Sequence, residues 1–157
     1  MADESVGETR RDTVTIKTSK GDIVLKLYPD LMPVTVANFE KLARAGFYSN
    51  LVWHRVEDWV VQTGDPTGTG RGGSGESIRL ETHPKLLNRR GGVGMARGED
   101  PDSATSQFYI LREDASWLDG KYALFGYVVD GMGAVDRLVA GDMLLEVSVE
   151  QEPAGGR

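Results

Sequence analysis

Cysteine is absent from these 157 residues, which removes any disulfide framework and any thiol chemistry. Histidine occurs only twice, at His54 and His83. With no cysteine and no i,i+4 histidine pair, neither can anchor the usual structural zinc site. No G-x-S-x-G elbow is present for a hydrolase nucleophile of the common α/β kind. No apolar run approaches the roughly 20 residues of a membrane span, and Met1 to Asp12 is polar and of mixed charge, without the apolar centre of a secretory signal. A basic surface is also missing. The net charge is −6, from 18 basic and 24 acidic residues, and the best basic pair, Arg89-Arg90, is too short to bind a phosphate backbone or anionic lipid. The expectation is a protein of the cytoplasm that binds neither nucleic acid nor membrane.

What is abundant is glycine, 20 residues, which calls for many tight turns and a β-rich fold. Residues 1–11 and 152–157 read as flexible tails flanking one domain over 12–151. Thr13–Thr18 is β-branched and alternating, Ser19-Lys20-Gly21-Asp22 is turn chemistry, and Ile23–Tyr28 returns as the hairpin partner. Pro33 opens a helix carrying Val36, Phe39, Leu42 and Ala43 on one face, with Gly46 placed as its C-terminal cap. Short apolar runs then follow at 51–56, 59–62, 93–96, 107–110 and 122–129. A second helix fits Gly133 to Val139, and Leu144–Val149 closes the pattern. Many short strands with two helices predict a mainly β fold, a closed antiparallel barrel capped by two α-helices. The stretch from Gly64 to Leu87 has no sustained period, and a loop that long inside one domain is usually functional.

Two motifs inside it or near it are decoys. Gly68-Thr69-Gly70-Arg71-Gly72-Gly73 matches G-x-G-x-x-G, but no helix follows it and no βαβ unit surrounds it, so a dinucleotide site is not expected. Glu99-Asp100-Pro101-Asp102-Ser103 resembles a calcium loop by composition only, because the alternating ligand spacing is missing.

Four stretches carry chemistry: Trp53-His54-Arg55; Gln62-Thr63-Gly64-Asp65; Met95-Ala96-Arg97 running on to Ser106-Gln107-Phe108-Tyr109-Ile110; and Trp117-Leu118-Asp119-Gly120-Lys121-Tyr122 followed by Phe125-Gly126. They assemble one arginine and two glutamines among apolar side chains, with no nucleophile, metal cage or phosphate loop. That inventory suits a reaction that makes and breaks no covalent bond. In this order the stretches resemble the cyclophilin family of peptidyl-prolyl cis-trans isomerases, especially its bacterial members. The likeness is dense from Trp53 to Tyr127 and looser from about Thr13 to about Glu146.

The resemblance implies an eight-stranded closed barrel with two helices, a cofactor-independent enzyme, and proline-containing peptides and unfolded proteins as partners; the acidic balance and the lack of a long apolar run favour a monomer. It implies Arg55 and Gln62 as the catalytic pair. Trp59, Val60, Met95, Tyr109 and Leu118 would receive the proline ring. Gln107 beside Gln62 and His54 before the arginine would also bind substrate, Ala96 and Arg97 would offer backbone groups to the peptide, and Trp117 and Tyr122 would line the rim. Trp117 further implies binding of cyclosporin through its indole N–H.

An Xaa-Pro amide rotates over a barrier of roughly 18–20 kcal/mol, taking roughly 10–100 s uncatalysed. In the twisted transition state the prolyl nitrogen regains its lone pair and accepts a hydrogen bond. A guanidinium aimed at that nitrogen stabilises it, and an apolar pocket disfavours the polar planar ground state. An acceleration of ~10⁵ needs about 7 kcal/mol, and one charge-assisted hydrogen bond supplies roughly 1.5–3, so pocket and orientation must supply the rest.

The sequence departs from the family pattern at several positions. Glu57-Asp58 stands where many members have Pro-Gly, Trp59 replaces Phe, Val60 is shorter than Met, and Arg97 replaces Asn. Tyr109 replaces Phe and must find a partner for its hydroxyl, and Tyr122 stands where many eukaryotic members carry His. Two rival readings are a proline-peptide binding module or chaperone with incidental turnover, and a small-ligand barrel of the lipocalin kind.

Overall fold

The computed structural model describes residues 9–152; the predicted tails lie almost wholly outside the described residues. Strands β1 (Asp12–Thr18) and β2 (Gly21–Leu27) pair in full antiparallel register, from Asp12 opposite Leu27 to Thr18 opposite Gly21. Strict alternation puts Val14, Ile16, Ile23, Leu25 and Leu27 in the interior.

Helix α1 (Pro33–Arg44) starts on proline, whose missing N–H costs nothing in the first turn. It ends as the glycine predicts. Gly46 has φ +76°, and the N–H groups of Gly46 and Phe47 return to the carbonyls of Ala43 and Leu42, a Schellman closure. The other end has no local cap. The Glu81 carboxylate, from the long loop, accepts hydrogen bonds from the amides of Val34 (3.0 Å) and Thr35 (2.7 Å) and from the Thr35 hydroxyl (2.7 Å). The buried face of α1 drives Phe39 into an aromatic group of Tyr48, Phe108 and Phe125, with ring centroids 5.1–5.3 Å away.

The remaining strands are β3 (Leu51–Val52), β4 (Arg55–Val56), β5 (Val60–Thr63), β6 (Gly92–Met95), β7 (Phe108–Leu111), β8 (Leu124–Asp130) and β9 (Met143–Glu150). Helix α2 (Met132–Arg137) lies between β8 and β9. All pairings are antiparallel, in the order β3-β9-β1-β2-β8-β6-β7-β5-β4. The fold is thus mainly β, one curled antiparallel sheet with two helices, as expected in outline. Among the described residues it has nine strands rather than eight. The predicted strand 51–56 is broken at Trp53-His54, whose two halves become the two edges of the sheet. Among the described residues no ladder joins β3 to β4, so hydrogen bonding does not close the sheet as the barrel expectation requires.

The register across β5 and β7 creates two faces. Val61, Phe108 and Ile110 point into the main core, while Val60, Tyr109 and Leu111 point the other way and form a second cluster with Ala115. Trp59, Leu118 and Tyr122 pack against that second cluster, half-buried. The site grows on this outer face.

Candidate active site

Directly opposed residues in an antiparallel sheet share a face. Arg55 on β4 opposes Gln62 on β5, Gln62 opposes Tyr109 on β7, and Tyr109 opposes Gly94 on β6. Four strands therefore set one row of side chains on the outer face. Gly94 is required there, because a Cβ would collide with the Tyr109 ring that lies across it.

Arg55 is held from two sides. Its Nη1 donates to Gln62 Oε1 (3.0 Å), and its Nε and Nη2 donate to the two oxygens of Glu57 (2.9 and 3.4 Å). This bidentate grip, with the Arg55 hydrogen bond foremost, holds the Glu57 carboxyl below its usual range. The guanidinium also lies 5.6 Å from the Trp59 ring centroid. Gln62 Nε2 donates to Gln107 Oε1 (2.8 Å), and Gln107 Nε2 donates to the carbonyls of Gly70 (3.1 Å) and Gly72 (2.8 Å). A chain of donors thus runs from the arginine to the glycine-rich loop.

That loop wraps the buried Asp65. Its carboxylate accepts from the amides of Thr67 (2.8 Å), Gly70 (2.6 Å) and Gly72 (3.0 Å) and from the Thr67 hydroxyl (2.7 Å). Burial would raise the Asp65 carboxyl, but these bonds outweigh it and hold it well below the carboxylate range. The G-x-G-x-x-G match is therefore an internal ring around a carboxylate.

Two contiguous clefts open along this row. The first, about 460 Å³, is lined by Arg55, Trp59, Val60, Gln62, Ala96, Arg97, Tyr109, Trp117, Leu118, Lys121 and Tyr122. Its size suits a small ligand or a peptide side chain. The second, about 490 Å³, shares Gln62, Ala96 and Arg97 with it and extends past Gln107 to the glycine-rich loop. Arg97 stands on the divide. Its guanidinium stacks 4.4 Å from the Tyr122 ring centroid and donates to the carbonyls of Lys121 and Gly98. Trp117, 58% exposed, projects at the rim with its ring 5.4 Å from that of Trp59.

Most predicted site residues therefore meet in one groove, but two do not line it. Met95 pairs with Phe108, which faces the main core, so the same register buries Met95 in the interior at 1% exposure. His54 sits between the sheet edges behind Arg55. Burial holds its imidazole below its ordinary range, with Arg55 adding to this against Asp65 and a hydrogen bond with Gln107. Gln107 lines only the second cleft.

The Tyr109 hydroxyl finds its partner in Asn88, donating to Oδ1 at 2.6 Å, and burial pushes the phenol up so that it stays a donor. Asn88 in turn donates through Nδ2 and its backbone amide to Asp119 Oδ1 (3.0 and 2.6 Å), tying the floor to the turn that carries Leu118 and Lys121. Tyr109→Phe is expected to strand the buried Asn88 oxygen at a cost of about 1–3 kcal/mol. Thermal unfolding should fall by about 2–10 °C while the apolar floor persists. An unchanged melting temperature would show that the bond contributes nothing.

Asn88, Glu57 and Lys121 escaped the sequence reading as functional residues. Asn88 and Glu57 act through contacts that no local spacing encodes. Lys121 lies inside a quoted motif, where an exposed lysine reads as solvated surface.

The first cleft, with Val60, Tyr109 and Leu118 on its floor and a doubly held arginine in its lining, lies on the outer face of the curled antiparallel sheet. A family model described as cyclophilin type peptidyl-prolyl cis-trans isomerase/CLD matches residues 13–153. Relatives named peptidyl-prolyl cis-trans isomerase-like 1 from Homo sapiens and Aspergillus fumigatus are each 43% identical over 129 residues. These cover 80% of this chain, and 78% and 80% of the relatives. A crystal structure of a Cryptosporidium parvum cyclophilin type peptidyl-prolyl cis-trans isomerase superposes with TM-score 0.84 at 29% identity, covering 91% of this chain and 99% of that one. A second structure of that protein, determined in the presence of the dipeptide Ala-Pro, gives TM-score 0.82 at 29% identity over 88% of this chain and 99% of that one. The chain belongs to the cyclophilin-type peptidyl-prolyl cis-trans isomerases.

Proposed function

We propose that the first cleft takes the proline ring of an extended Xaa-Pro segment on Val60, Tyr109 and Leu118, with Trp59 and Tyr122 at its sides. Arg55 then presents its remaining Nη hydrogens to the prolyl nitrogen as the amide twists. The observation that carries this reading is the position of Arg55, fixed by Gln62 and Glu57 in the lining of the cleft that holds Val60, Tyr109 and Leu118. Three of the five guanidinium hydrogens are taken by these partners, and the rest stay available without reorganisation. Ala96 and Arg97, which line both clefts, hold the peptide backbone extended in this reading. Gln62 and Gln107 keep the arginine oriented.

We propose further that the protein is a monomer of the cytoplasm, that it assists the folding of proline-containing chains, and that it takes cyclosporin at the Trp117 rim. Isomerase activity unchanged by saturating drug would remove that last element.

The test is NMR exchange between the cis and trans forms of an Ala-Pro tetrapeptide with catalytic amounts of the protein. Exchange far faster than the uncatalysed ~10–100 s is expected. Peptide-induced shifts without faster exchange would overturn catalysis and leave a proline-peptide binding module.

A further inference from the structure

Every charged side chain that lines the two clefts is cationic, in a chain whose net charge is −6. The four are Arg55, Arg71, Arg97 and Lys121. Arg55 is neutralised by Glu57 at 2.9 Å. The other three have no carboxylate partner among the described residues. Arg97 satisfies its guanidinium with the carbonyls of Lys121 and Gly98, which leaves its charge whole, while Arg71 and Lys121 are exposed and their side-chain nitrogens donate to no side chain among the described residues. The nearby carboxylates keep their charges but line neither cleft. Asp65 is enclosed by its loop, Asp119 accepts from Asn88, and Asp102 accepts from the Leu80 amide. Glu99 and Asp100, on the turn beyond Gly98, line neither cleft.

We infer that this groove selects proline segments flanked by aspartate or glutamate side chains, with Arg71, Arg97 and Lys121 as the specificity-determining residues. The inference rests on the reading of the first cleft as the proline site and adds the class of sequence it accepts. The placement follows from the fold. Arg97 stands on the divide, Lys121 lies on the rim of the first cleft, and Arg71 lies in the second. An extended peptide that runs from the first cleft into the second, advancing about 3.3 Å per residue, therefore passes all three cations. Among the side chains that line the clefts the one other charge, Arg55, is paired with Glu57, so the charge the groove presents to a peptide is positive although that of the molecule is negative.

The experiment uses three peptides that differ only in carrying Glu, Gln or Lys at the positions flanking Ala-Pro. Isomerisation and affinity are read by NMR in the same samples at low and high salt. The Glu peptide is expected to exceed the Lys peptide in kcat/KM and in affinity by about three- to tenfold at low salt. At high ionic strength the ratio should shrink toward one. Arg71→Glu and Lys121→Glu, both at exposed positions, should each lower the ratio, and the double variant should invert it. Equal affinities for the Glu and Lys peptides at low salt would overturn the selectivity, whatever the turnover. A preference in affinity with no catalysis of any peptide would support the selectivity and overturn the isomerase chemistry beneath it.

Discussion

Replacing Arg55 by alanine is expected to lower kcat/KM for an Ala-Pro tetrapeptide by about 10- to 150-fold. That is the equivalent of one charge-assisted hydrogen bond to the twisted amide, roughly 1.5–3 kcal/mol. Most of the loss should fall on kcat, because the bond forms fully only when the prolyl nitrogen regains its lone pair. The fold should not move. The Arg55 side chain is 41% exposed, and the groups it leaves, Glu57 at 47% exposure and the half-buried Gln62, can both turn to water.

Arg55→Lys is the sharper variant. A lysine keeps the charge but has a single terminal nitrogen, and it cannot span Glu57 and Gln62 while presenting a further donor to substrate. It should recover little of the lost rate. Full activity in the lysine variant would mean that bare positive charge suffices, and the planar fork held by Glu57 and Gln62 would lose its role. An unchanged rate in the alanine variant would move catalysis elsewhere in the cleft.

The local parts of this site are legible in the sequence because strands encode them at period two. Arg55, Gln62 and Tyr109 belong to short apolar runs, and once those runs pair, the three fall into one row. Pro33 and Gly46 likewise mark the ends of α1 through backbone chemistry that each residue carries with it. Whatever depends on register or on a distant partner is not legible. Met95 sits one residue after Gly94 and one rung over from Tyr109, and that single step turns it from the cleft to the core. Glu81 caps α1 from a loop that shows no periodicity, so the helix appears in the sequence without its anchor. Trp53-His54 break a run that reads as one strand, because only the curl of the whole sheet demands that the chain leave one edge and enter the other. Glu57-Asp58 is visible as a departure from the family pattern. The grip on Arg55 is not, since it depends on how the β4–β5 turn aims the carboxylate.

Away from the cleft, the stability of the protein should fall as pH rises from about 4.5 to about 7, and Glu40 on α1 is the cause. Its side chain is almost wholly buried. Oε1 accepts from Gln151 Nε2 (3.1 Å) and Arg44 Nη2 (3.4 Å), while Oε2 has no donor other than a proton of its own. Asp12 on β1 is fully buried, and its Oδ2 is likewise without a donor. Burial first, and then the hydrogen bond and charge of Asp12, push the Glu40 carboxyl up from 4.5 to about 7, against the pull of Gln151 and Arg44. One proton held between the two carboxyls satisfies both stranded oxygens. The sign follows from linkage. Between pH 4.5 and 7 the folded chain keeps a proton that the unfolded chain releases, so the contribution is complete below about 4.5 and is gone above about 7. Its size is on the order of 1–3 kcal/mol. His54, with its imidazole held below 6.5, works in the opposite direction in part of this window, so the wild-type profile alone mixes the two. Glu40→Gln separates them, because the amide can donate permanently to Asp12 and carries no charge at any pH. At pH 8 the variant is expected to melt about 2–10 °C above wild type, and near pH 4.5 the two should coincide. A difference that stays constant between pH 4.5 and 8 would show that Glu40 is ionised in the fold throughout, with no proton shared with Asp12.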